Sequence, residues 1–356
     1  MYFLQIDKTT ILQYNYGMKR EEDEMNAIAK DYRYTMKHLG AVMLIWAILL
    51  NSFMMIYMLL DDLFSVVLIP VAAEIASSLT YDAAYLIAFM LPLLFFRIMR
   101  TDGKRPAPMR MEIKLGWDSF AFIFGGIACL FAFAYLNNMI VNLIDMPDAG
   151  SVITEAGERI TDRYLILQFI TIALVPAFCE EFLFRGVILS NLMPYGKGLA
   201  ILISSVFFGL MHGNLYQFLY TTAAGVVLGL IYVLTDSIWC SILMHALNNS
   251  ISVLQEAFGA RLTERASDIA SFALEGVIFL LGIISVAFLA VKYGKRARPS
   301  HSRAERVFGN IGMRSEMIGT DRRLAPSVVA KGFFCPAVIG FIIYSLFSAV
   351  SVLFLM

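Results

Sequence analysis

Apolar residues run through this chain in blocks of about 20, long enough for a helix rising 1.5 Å per residue to cross ~30 Å of hydrocarbon. The blocks predict membrane helices at Leu39 to Leu60, Ala83 to Ile98, Phe120 to Ile144, Tyr164 to about Leu192, Leu199 to His212, Leu215 to Leu234, Ile238 to Leu254, Ile269 to Val291 and Gly332 to Met356. Val66 to Leu79 is shorter and carries Pro70 and Glu74, so it reads as a re-entrant or interfacial segment. The expected fold is an all-α polytopic transmembrane bundle of about eight to nine helices. Four regions are expected: an N-terminal tail at 1–38, N-terminal helices at 39–160, a chemically active set at 161–256, and C-terminal helices at 257–356.

Composition agrees with that pattern. Of 356 residues, 59% are hydrophobic and 16% charged, with a mean hydropathy of +0.71, which excludes an ordinary soluble enzyme. The 28 basic and 28 acidic residues cancel, so no nucleic acid or other polyanionic partner is implied. Their placement is more informative than their sum. With the N-terminus inside, the inner segments collect Lys and Arg, most densely in the basic stretch 292–331, while the outer segments hold only Arg159, Arg163, Arg261 and Arg265. Asp61, Asp62, Asp145, Asp148, Glu155 and Glu158 make the outer loops acidic. The positive-inside rule then places the N-terminus and the basic loop in the cytoplasm of a multi-pass cell-membrane protein. The polar tail at 1–38 lacks the apolar centre and small-residue cleavage site of a signal peptide, so the first span reads as an uncleaved anchor. Cys129, Cys179, Cys240 and Cys335 lie in apolar runs without metal-ligand spacing and read as small buried hydrophobes.

The costly side chains are concentrated. Glu180, Glu181 and Arg185 stand in one predicted span, Phe208 and His212 in the next, and His245 and Asn249 two further on. An ionisable group at the centre of a membrane helix costs about 2.5 to 3.5 kcal/mol on insertion scales, so such a cluster needs a use. Glu181 and Arg185 at i,i+4 share a helix face and form an expected ion pair. Glu180, about 100° away, is left for proton exchange as a general acid or base. His245 and Asn249, again at i,i+4, point into a common cleft. From the inner span ends, Glu180 lies roughly 18 Å deep, His212 roughly 22 Å, His245 roughly 12 Å and Asn249 roughly 18 Å, all in one central slab. Pro176 deprives the helix of a hydrogen bond just before Glu180 and should kink it, admitting water. Phe208 is given a supporting role, and Glu275 reads as a locally paired or snorkelling acid.

Glu180-Glu181-x-x-x-Arg185, Phe208-x-x-x-His212 and His245-x-x-x-Asn249, in this order on successive membrane helices, resemble the three motifs of the CAAX-protease and bacteriocin-processing family. These are intramembrane glutamic endopeptidases related to type II CAAX prenyl proteases. The resemblance spans about 164–255. It implies that Glu180 and His212 activate the attacking water and that His245 and Asn249 form the oxyanion site, with Glu181, Arg185 and Phe208 supporting. A ninth span departs from the eight-helix arrangement of that family. No cofactor is implied, and the expected substrate is a membrane-associated peptide or protein.

Other chemistries fit the same residues. Glu180, His212 and His245 form a His2Glu set that a catalytic zinc can use, although no HExxH pair is present. A proton-coupled transporter also uses intramembrane Glu and His, but its usual inverted repeats are not evident. A non-catalytic immunity or scaffold protein would keep the fold and bind a partner. Only the hydrolase readings predict peptide cleavage that depends on Glu180.

Overall fold

The computed structural model describes residues 8–99, 106–143, 165–294 and 324–355. Among them there are helices and connections but no strand. The helices are α1 (Lys8–Val67), α2 (Pro70–Met99), α3 (Trp117–Leu143), a helical rod α4 (Leu165–Tyr195), α5 (Lys197–Met211), α6 (Leu215–Thr235), α7 (Ile238–Arg261), α8 (Glu264–Gly294), α9 (Pro326–Phe333) and α10 (Pro336–Leu355). The outer acidic positions at 145–163 and the bulk of the basic stretch, 295–323, lie outside the described residues.

Six helices are long and apolar enough to cross a bilayer, or seven if the bent pair α9–α10 counts as one span. That is fewer than the eight to nine expected. Two physical reasons account for it. The helix α5 has only 15 residues and is too short to span alone. The helix α7 carries His245, Asn248, Asn249, Gln255 and Glu256, which dilute its apolar face. The apolar surface of the spans points outward: Ile48, Met55, Leu59 and Val66 on α1, and Phe272, Leu280 and Ile283 on α8, are exposed. Isoleucines, leucines and phenylalanines exposed in such number form a lipid-facing surface, and this is a multi-pass membrane protein.

Val66 to Leu79 is not a separate segment between spans. It is the tip of an antiparallel hairpin between α1 and α2, turning at Leu68 and Ile69. Pro70 opens α2, where a missing backbone N–H costs nothing because first-turn donors have no intrahelical partner. The hairpin is closed by a hydrogen bond from Ser77 to Asp61 and by edge contact between Tyr57 and Tyr81. The helix α1 itself runs unbroken through residue 38, where the sequence pattern divides tail from span.

Around this hairpin, α10 packs on α1, α3 on α6 and α8, and α5 on α6. The helix α7 and the middle of α2 both pack on the rod α4. An extended strap, residues 106–115, ties one end of the bundle together. Ile238 N–H donates to the Arg110 carbonyl at 2.8 Å, Trp239 Nε1 to Met111 at 2.8 Å, and Ala107 N–H to Asn191 Oδ1 at 2.9 Å. Arg110 and Lys114 both pair with Asp236, which caps α6 in the left-handed region at φ 55°. The described cysteines form no disulfide. Cys179 and Cys240 are buried as expected, but Cys129 is exposed on the outer face of α3.

Candidate active site

The rod α4 is irregular where the sequence is polar. Its α-helical segment Val175–Glu181 is flanked by two π-helical stretches, Phe169–Leu174 and Phe182–Leu189. Pro176 has no N–H for the carbonyl of Ile172, four residues earlier, and that carbonyl accepts from Asn249 Nδ2 at 3.3 Å. The wider π-helical turns change which side chains share a face, so the 100° argument of a regular helix applies only within 175–181.

Both glutamates point inward, to different partners. Glu181 and Arg185 are fully buried, Glu180 is 5% exposed and His245 7%. Glu181 Oε1 accepts from Arg185 Nη1 at 2.7 Å and from His245 Nδ1 at 3.0 Å. The expected Glu181–Arg185 pair is present, and Glu181 also holds a histidine 64 residues away in sequence. Arg185 Nη2 donates to the Gly225 carbonyl at 2.8 Å, while its Nε is buried without a hydrogen bond.

Glu180 is not left free, as the spacing alone suggested. Its Oε1 accepts from the hydroxyl of Tyr85 on α2 at 2.5 Å. Its Oε2 is buried without a hydrogen bond and lies 3.8 Å from His245 Nε2. His245 thus bridges the two carboxylates, anchored to one and facing the other.

Phe208 fills the space between these groups. Its ring lies under the Arg185 guanidinium at 4.9 Å and meets Phe184, His212 and His245 edge-on at centroid distances of 5.1, 5.0 and 5.9 Å. A desolvated guanidinium on an aromatic face is favourable by about 2 kcal/mol. His212 ends α5, half-buried, with Nδ1 2.8 Å from the Phe208 carbonyl. A carbonyl only accepts, so His212 Nδ1 carries a proton, and in the neutral ring Nε2 is then the acceptor. His212 interacts electrostatically with Glu180 and His245 but forms no hydrogen bond with either. Asn249 lies on the His245 face of α7, yet its contacts are Ile172 and, at 3.4 Å, Asn248.

The structure therefore joins Glu180, Glu181, Arg185, Phe208 and His245 directly, brings His212 alongside through Phe208, and leaves Asn249 bonded to Ile172 and Asn248 rather than to any of these. Among the described residues, no three His, Cys, Asp or Glu side chains converge as a metal-holding group. Two residues escaped the sequence pattern. Tyr85 looks like any aromatic in an apolar helix. Asp82, buried and accepting from Thr171 at 3.2 Å, fell just before the predicted span start at Ala83. Glu275 is locally paired, accepting from Tyr135 and from Gln255 Nε2.

Residues 162–251 match the family described as Type II CAAX prenyl endopeptidase Rce1-like. A 93-residue stretch is 36% identical to the protein named "Putative membrane peptidase YdiL" of Bacillus subtilis (strain 168). The match covers 25% of this chain and 37% of that relative, little more than a third of its length. No solved structure matches. The stretch similar to that family contains all three motifs and the rod that carries the buried carboxylates.

Proposed function

We propose that this protein is an intramembrane endopeptidase of the glutamic type, hydrolysing a peptide bond in a membrane-associated peptide or protein. The observation that carries the reading is the unbonded Glu180 Oε2 facing His245 Nε2 across 3.8 Å, with the other ring nitrogen of His245 fixed by Glu181. That gap is longer than a direct hydrogen bond, so neither atom spends its bonding capacity on the other and both stay available to a water or to substrate.

Charge counting supports proton exchange there. Two carboxylates and one guanidinium leave a deficit of one positive charge in a buried site. A single proton, on Glu180 or on His245, balances it, so both arrangements are neutral and neither carries an uncompensated buried charge. With the proton on His245, ionised Glu180 takes a proton from water as the oxygen attacks the scissile carbonyl, and Nε2–H of His245 donates to the oxyanion. Glu180 then returns its proton to the departing amine as the C–N bond breaks. His212 Nε2 is a second acceptor for the attacking water, and the second N–H of Asn249 is a further oxyanion donor. Each such donor is commonly worth a hundredfold to a thousandfold, roughly, in rate.

The active helices are those of 161–256, and the N-terminus is assigned to the cytoplasm by the positive-inside bias. A site buried this deep suits the end or juxtamembrane stretch of a chain already held at the bilayer. The test is cleavage of bilayer-anchored fluorogenic peptides by the purified protein in lipid vesicles, with and without chelator. Wild type should cleave equally in both, and Glu180→Gln should be slower by about a hundredfold or more. Chelator inhibition reversed by zinc would instead establish a metal-dependent protease, and undiminished cleavage by Glu180→Gln would end the glutamic reading. Absence of cleavage across the library would leave transport or partner binding in its place.

A further inference from the structure

We infer that Tyr85 is a positioning residue for Glu180: its hydroxyl occupies Oε1 and so dedicates Oε2 to the reaction. The inference rests on the proposed peptidase reading and adds a residue from α2, outside the matched stretch 162–251.

The argument begins with symmetry. A carboxylate has two equivalent oxygens, and a side chain turning freely about its last torsion presents either one. In this protein the two are made different. Oε1 accepts the Tyr85 hydroxyl at 2.5 Å, within the short range of charge-assisted O–H···O bonds, while Oε2 has no hydrogen bond and faces His245. The tyrosine is itself held. Its ring stacks between Tyr81 at 5.9 Å and Phe89 at 4.6 Å, with interplanar angles of 22° and 25°. Phe89 is fully buried and rests edge-on against buried Trp46 of α1. The hydroxyl position is thus fixed by the α1–α2 hairpin, whose α2 also meets the rod through Asp82 and Thr171. The spacing of the stack follows from sequence: Tyr81, Tyr85 and Phe89 recur every four residues and share one face of α2.

The consequence for the reaction is orientational. Tyr85 touches neither the scissile bond nor the attacking water in this scheme; it acts through Glu180. Without its hydroxyl the carboxylate keeps its charge and its counter-groups but loses the bond that sets its rotation. The chemical step should slow while substrate binding is retained, because the ring and its stacking are unchanged.

The test uses full-length protein in vesicles, comparing wild type, Tyr85→Phe and Tyr135→Phe. The last removes a tyrosine hydroxyl from a different intramembrane glutamate, Glu275. Infrared bands of the Glu180 carboxyl group, isolated by subtracting the spectrum of Glu180→Gln, read the contact without reference to activity. Tyr85→Phe should shift those bands and lower kcat by about tenfold to a hundredfold with KM within about twofold, the loss expected of one hydrogen bond to a charged group. Tyr135→Phe should leave both readings at the wild-type value. Unshifted bands in Tyr85→Phe would overturn the contact, and shifted bands with wild-type kcat would overturn its role in positioning. Wild-type cleavage by Glu180→Gln in the same assay would bring down the peptidase reading itself, a result separable from either of these.

Discussion

Two glutamates in membrane helices of this protein meet opposite surroundings. Glu275, on the regular and largely lipid-facing α8, is held by two neutral donors, Tyr135 and Gln255. Glu181, on the irregular rod α4, is fully buried and bound by an arginine and a histidine, with a second carboxylate beside them. Neutral donors secure a carboxylate but give it no group with which to exchange a proton. The rod meets such a group in His245, and in the proposed reading the charges gathered there sum to zero when one proton is shared. The lesson is that an intramembrane acid becomes chemically useful through the ionisable partners it meets from other helices, more than through its own depth.

The comparison can be broken most forcefully at Arg185. Replacing it by Met strands Glu181 and should cost about 3 to 5 kcal/mol in stability, seen as a lowered unfolding temperature in detergent together with loss of cleavage. Glu181→Gln combined with Arg185→Met should recover part of that stability and none of the activity, because His245 then loses its charged anchor. A cycle in which the two single losses simply add would mean the pair is not coupled.

Gly225→Ala tests the backing of the arginine. An added Cβ would stand 2.8 Å from the Ser205 backbone, forcing α5 and α6 apart and displacing the carbonyl that accepts Arg185 Nη2. Destabilisation of about 1 to 3 kcal/mol is expected, measured by the same unfolding assay. Gly276→Ala on α8 has open space at that position and should be silent.

Asn249→Ala should cost about 1 to 2 kcal/mol by leaving the Ile172 carbonyl beside Pro176 without its side-chain donor. Its effect on cleavage discriminates between roles. A fall in kcat well beyond the loss of stability supports oxyanion donation, whereas a purely proportional loss makes Asn249 a support for the kinked rod.

A small effect is expected at Glu275→Gln. The amide still accepts from Tyr135, so stability should change by less than about 1 kcal/mol and cleavage not at all.

How far the sequence foretold this arrangement depends on the range of the interaction. Local spacing sufficed for the Glu181–Arg185 pair, four residues apart on one helix, and for the common face of His245 and Asn249. Apolar blocks were enough for the all-α membrane class. The bond between His245 and Glu181 was hidden, because periodicity describes a helix and says nothing of which neighbour it faces. Tyr85 was invisible for the same reason, and Asp82 because an apolar window begins after an acid by construction. The Pro70 segment reads as separate from its neighbours in the sequence because a proline that opens a helix and one that breaks a membrane segment look alike without the hairpin partner. The π-helical turns flanking Val175–Glu181 left no periodic trace, although Pro176 marked where backbone bonding had to be rearranged.

The most direct trial of the account is a side-by-side measurement of Glu180→Gln and Glu275→Gln under single-turnover conditions, in the same vesicles and on the same anchored peptide. The account predicts cleavage slowed by about a hundredfold or more in the first and unchanged in the second. Equal rates in the two variants, whether both retained or both lost, would contradict it.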